Sequence, residues 1–203
     1  MRPGKAFFLV VLTGLCTALV ACGRPPATPD LADAGGPGLS KGQVDQQDAT
    51  TRWANGYCVA VGSLVDGLAT MPSVDPSTPQ RAVATSSDLL ASMISGLDRA
   101  LQGLQALPPS PVGGGEKVRT DAIAEFTGVR DRAASAKQVL DNARGSNSID
   151  QKTLGAARGP LGEVAKLDLL AGFSTVPDLL TASSRAPVCE QLVTRDAPAG
   201  PRN

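Results

Sequence analysis

An all-α fold, an antiparallel bundle of about four helices, follows from three features of this sequence. Three long stretches carry apolar residues at alternating spacings of three and four, the mark of a helix with one buried face. Clusters of proline and glycine separate them at the places where an antiparallel bundle needs its turns. No stretch shows the alternation of a half-buried strand.

The first helix is expected over Gln43–Ala69, with Ala54, Tyr57, Val61, Leu64 and Leu68 as its stripe. Pro72, Pro76 and Pro79 must interrupt it, because each removes a backbone donor and crowds the preceding turn. Ser77 or Thr78 then caps a second helix over about Gln80–Leu107. Its stripe is Val83, Leu90, Ile94, Leu97, Leu101 and Leu104, widened by Leu89 and Met93. Residues Pro108 to Gly115 read as a loop. A third helix follows over about Glu116–Ala143, with Ala122, Phe126, Val129, Ala133, Ala136, Leu140 and Ala143 on one face. Gly145 is placed to end it.

A fourth helix is expected along Leu154, Ala157, Leu161, Val164 and Leu167, firm only from Pro160 because Gly155 and Gly159 weaken its start. A short helix over Val176–Ser183 and one more turn over Cys189–Val193 complete a domain spanning 43–194. The tail from Arg195 to Asn203 reads as loose.

Before this domain lie two segments of different character. Arg2 and Lys5 precede an apolar run from Ala6 to Val20, shorter than the roughly 20 residues a spanning helix needs. A positive start, an apolar middle and small residues at a cut site make residues 1–21 a signal peptide. Residues 22–42 carry four prolines and five glycines with little to bury, so they read as a flexible linker of roughly 25 Å mean span.

Leu19-Val20-Ala21-Cys22 resembles the lipobox of bacterial lipoproteins at every position. The resemblance implies that signal peptidase II recognises Leu19, Val20 and Ala21 and cuts before Cys22. It also implies that the Cys22 thiol carries a diacylglyceryl group, often with a further acyl chain on its amine. Two or more chains hold a protein firmly to a bilayer, whereas one does so only marginally. The implied location is the outer face of the cell membrane, reached by general secretion because no twin arginine is present. On that processing Cys16 leaves with the leader and Cys22 is acylated, so Cys58 and Cys189 remain of the four cysteines. A bridge between them is expected in an exported protein. It closes nearly the whole domain, with a stabilisation on the order of 5 kcal/mol at most. A redox or metal role for the two is the alternative, although they lack CxxC spacing. More loosely, Trp53 and Tyr57-Cys58, with Pro177-Asp-Leu-Leu, Ala182, Cys189 and Leu192, resemble small exported helical proteins of actinobacteria. That resemblance carries no activity with it.

Charge narrows the partners. Lysines and arginines total 19, as do acidic residues; loss of Arg2 and Lys5 leaves a mature chain near −2, without the basic patch of a nucleic-acid binder. The chain has no histidine, which removes the commonest general base and metal ligand. No metal, cofactor or catalytic constellation is expected. Asp121 and Glu125, four apart with Arg119 and Arg130 near, are the one carboxylate pair to weigh, and such pairs usually face water. Tyr57 on the inner stripe could ligate haem, but a buried tyrosine more often packs its ring. Trp53 is expected to cover the end of the bundle. The reading is a membrane-tethered, non-catalytic binding module for an envelope protein or the wall. The alternative is a carrier of a small apolar ligand, lipid-like or haem-like, in the bundle core.

Overall fold

A computed structural model describes residues 38–146 and 149–196. The chain divides into two units between Gly38 and Leu39, and all the described helices belong to the second. The segment expected to be a signal peptide, with Leu19, Val20, Ala21 and Cys22, and the expected linker as far as residue 37 lie outside the described residues, as do residues 197–203 of the expected tail.

The fold is an all-α bundle. Three long helices, α1 (Lys41–Ala69), α2 (Pro79–Ala106) and α3 (Gly115–Ala143), are followed by α4 (Gln151–Leu154), α5 (Arg158–Val164), a 3-10 turn (Phe173–Thr175), α6 (Pro177–Ser183) and α7 (Pro187–Asp196). Helix α1 begins two residues before the expected Gln43. The cause is a capping box: Ser40 Oγ accepts from the Gln43 amide at 3.3 Å, and Gln43 Oε1 accepts from the Ser40 amide at 2.8 Å. Thr78 caps α2 by accepting from the Arg81 amide at 3.2 Å, with Pro79 at the first helical position. Gly114 precedes α3 at φ +86°, a conformation that suits glycine. Gly145 follows α3, but among the described glycines only Gly114 and Gly172 have positive φ.

Two expectations fail in the last quarter. The fourth helix is not continuous: the chain turns at Gly155–Ala157 between the single turn α4 and the two turns of α5. Pro160 sits inside the first turn of α5, which starts at Arg158, where a missing donor costs nothing. The tail also begins later than expected, because α7 carries Arg195 and Asp196.

Helix α2 lies between α1 and α3, and both pack along its length. Glycines set the α1–α2 register. Gly56 lies against Leu107, Ala60 against Gly103 and Gly67 against Gly96, so the helices run antiparallel at close approach. The α2–α3 seam is pinned by polar pairs in antiparallel order: Ser87 with Asp141, Asp98 with Arg130, and the Leu107 carbonyl with Arg119. Helices α6 and α7 pack on α1, and α5 packs on α3. Helix α7 runs parallel to α1, since Val188, Cys189 and Leu192 meet Asn55, Cys58 and Gly62 in the same order. The core is continuous. Tyr57, Leu64, Leu90, Met93, Leu97, Leu104, Phe126, Leu140 and Leu179 are all buried in it.

Candidate functional site

Cys58 and Cys189 form a disulfide with their Cα atoms 5.1 Å apart, and both residues are fully buried. The bridge fastens α7 to the middle of α1. Trp53 and Tyr57, a turn apart on the same helix, belong to an aromatic stack. The Trp53 and Tyr57 ring centres lie 5.8 Å apart, and Phe173 meets Tyr57 at 4.9 Å. Burial raises the Tyr57 phenol well above the usual tyrosine pKa, and the charges of Asp168 and Glu125 push it the same way. Tyr57 therefore stays protonated and packs its ring in the core.

The carboxylate pair on α3 does not form a site. Asp121 is exposed and bonded to Lys117 at 2.7 Å, and Glu125 is exposed. The arginines near them point elsewhere: Arg119 bonds to the Leu107 carbonyl and Glu116, and Arg130 to Asp98 and Asp131. Among the described residues no cluster of three or more acidic or cysteine side chains could hold a metal.

What the fold does assemble lies at the end of the bundle where α1 begins. Here the first turns of α1 meet the α2–α3 loop on one side and α6 on the other. Trp53 Nε1 donates to the Pro108 carbonyl at 3.0 Å, and Gln46 Nε2 donates to the Pro111 carbonyl at 2.6 Å. These two bonds tie the proline loop to α1 across about two turns of helix. The loop is held from its other side by Arg119 on the Leu107 carbonyl and by Glu116, which accepts from the Ser110 amide.

Two clefts flank this stretch of α1. One, about 170 Å³, runs between Gln46, Gln47, Thr50 and Thr51 of α1 and Asp178, Thr181 and Arg185, with Arg185 bonded to Gln47 at 3.2 Å. Its walls are mostly amides, hydroxyls and charges. The other, about 340 Å³, is walled by Ala49, Trp53, Gly56, Leu107, Pro108, Pro109 and Pro111, with Arg52 its one charged side chain. A further cleft of about 430 Å³ is lined by Leu64, Val65 and Leu68 of α1 and by Val164, Ala165, Leu167 and Leu169. All three open to solvent rather than lying within the helix core.

Sequence reasoning finds Trp53 and the Pro108–Pro111 loop separately, one as a cover and the other as a turn. It does not join them, because the Trp53–Pro108 bond links positions 55 residues apart. Arg52 carries no sequence signal at all. No protein-family model, no curated protein and no solved structure matches the chain.

Proposed function

We propose that this chain is a cell-envelope lipoprotein whose acylated Cys22 tethers a disulfide-locked helical bundle, and that the bundle works by binding rather than by catalysis. The observation that carries the reading is the lipobox Leu19-Val20-Ala21-Cys22 behind a cationic and apolar leader. Support comes from the bundle. Its first helix opens at Ser40 on a capping box, so an eighteen-residue interval separates the anchor cysteine from a rigid helix start. The oxidised Cys58–Cys189 pair suits an extracytoplasmic location. No described helix is long and apolar enough to cross a membrane. The two clefts beside the start of α1 offer binding surfaces on the part of the bundle nearest in sequence to the anchor.

The test is Cys22→Ala followed by membrane fractionation and intact-mass measurement. The wild-type product should sediment with membranes and carry a glyceride adduct on its first residue. The variant should remain an uncut precursor without that mass. An unmodified amino terminus in the wild-type product would end the lipoprotein reading.

A further inference from the structure

We infer that the cleft between Trp53 and the α2–α3 loop binds the apolar tail of a monoanionic amphiphile, with Arg52 holding its carboxylate at the rim. The inference deepens the binding-module reading by naming a ligand class for one of its surfaces. At about 340 Å³ the cleft falls within the roughly 300–1,000 Å³ of small-ligand sites. Its walls have the usual composition of such sites, predominantly apolar with a single polar group to fix orientation. Ala49, Trp53 and Gly56 of α1 and Leu107, Pro108, Pro109 and Pro111 of the α2–α3 connection line it.

The walls are rigid. Proline rings have fixed φ, and the loop is bonded to α1 through Trp53 and Gln46. Gly56 lets the Leu107 side chain pack directly on α1 and fixes that wall, because a Cβ there would stand 2.9 Å from Leu107 Cδ2. A preformed apolar wall of this kind costs a ligand little in ordering.

Charge selects the ligand. Arg52 is exposed on the rim and forms no ion pair with any described residue; Asp48, one turn before it, is not within bonding distance. Arg81, Arg119, Arg130, Arg132 and Arg144 hold carboxylates, Arg99 and Arg185 bond Ser95 and Gln47, and Arg158, which like Arg52 forms no ion pair with a described residue, lies away from this cleft. A guanidinium left open beside an apolar cleft matches a carboxylate at the head of an alkyl chain, which it can grip through two parallel hydrogen bonds. A neutral or cationic amphiphile gains nothing from it.

Trp53 is the chain's only tryptophan and lines this cleft, so its fluorescence is the probe, with Arg52→Gln as the control for changes in the core. The full-length mature protein, reconstituted in phosphatidylcholine vesicles, is titrated with decanoate, octanoate and decanol, and partition into protein-free vesicles is subtracted. Decanoate should change Trp53 emission saturably, and octanoate should bind about tenfold more weakly for its two missing methylenes. Decanol should bind about fivefold more weakly than decanoate, and Arg52→Gln should lose about the same factor for decanoate alone. Ala49→Leu, which fills the cleft and keeps the Arg52 charge, should weaken all three ligands. A decanoate signal that does not saturate, or that Arg52→Gln leaves unchanged, overturns the inference. If decanoate fails while the Cys22 adduct is present, only this inference falls. If the adduct is absent, the tether falls and the cleft is judged by its own titration.

Discussion

The three helices of residues 41–143 and the pieces of residues 149–196 belong to one core but are held in different ways. The first region consists of helices of 29, 28 and 29 residues, each with an apolar face long enough to pack along a neighbour. The second consists of helices of 4, 7, 7 and 10 residues. Isolated helices shorter than about 12–15 residues are marginal in water. These exist because a surface is already there to receive them. Leu179, Ala182, Ala186, Cys189 and Leu192 are buried where α6 and α7 cover α1, and Phe173 is buried against Tyr57. The long helices are the scaffold, and the rest folds onto it.

The disulfide is the sharpest place to break this contrast. It closes a loop with a sequence separation of 131 residues, so replacing both cysteines by alanine should cost about 3–5 kcal/mol. If the scaffold argument is right, the loss is uneven. Hydrogen exchange of Cys58→Ala/Cys189→Ala should show protection falling first across residues 173–196, with α2 and α3 still protected. Simultaneous loss everywhere would mean that the two regions form one cooperative unit.

Two glycine substitutions sharpen the same comparison with opposite signs. Gly103 lies in the α1–α2 seam, where an added Cβ would stand 2.7 Å from Ala60 Cβ and 3.0 Å from its Cα. Gly103→Ala gains about 1 kcal/mol of helix propensity but must force apart two backbones, at about 1–3 kcal/mol. The steric term wins, and a net loss of about 1 kcal/mol is expected. Gly162 in α5 has nothing within 4 Å of such a Cβ and is exposed. Gly162→Ala should therefore stabilise, by about 0.5–1 kcal/mol. Denaturant midpoints at constant slope check both values. Equal effects at the two sites would remove the distinction between a tight scaffold and a loosely built cover.

The same contrast explains what could be read from the sequence. The α2 stripe is legible because Val83, Leu90, Leu97 and Leu104 recur at helical spacing, and all four are fully buried. Periodicity does not show that Ile94 is only half-buried while Met93 and Ala100 take the centre, since that depends on which neighbours α2 acquires. The break at Gly155–Ala157 is hidden for a related reason. Leu154, Ala157, Leu161 and Val164 keep helical spacing through the turn, and glycine weakens a helix without dictating where it stops. Of the site, the disulfide partners were legible by elimination. The cleft was not, because residues 49–56 and 107–111 become neighbours only when α1 and α2 pack.

A final and smallest effect concerns the α2–α3 seam, which is held by polar groups where α1–α2 is held by close backbones. Ser87 is fully buried and donates to Asp141 at 2.5 Å; Lys137 reaches the other carboxylate oxygen at 2.6 Å, and Arg144 stands at 3.3 Å. The bond from Lys137, then that from Ser87, holds the Asp141 carboxyl below the usual carboxylate range. A pKa lower in the folded than in the unfolded chain stabilises the fold at pH values above the unfolded value of 3.8, and that contribution is lost as pH falls through the folded one. The carboxylate is partly exposed and solvent screens its pairs, so the effect is modest. Asp75 and Asp150 are depressed as well, so wild type alone would not isolate it. Asp141→Asn does. The variant should unfold at lower denaturant than wild type near neutral pH, and the two midpoints should converge as pH drops below about 4. Midpoints that stay equally far apart down to about pH 2.5 would show that Asp141 contributes through packing or neutral hydrogen bonds alone, and the charged character assigned to this seam would be withdrawn.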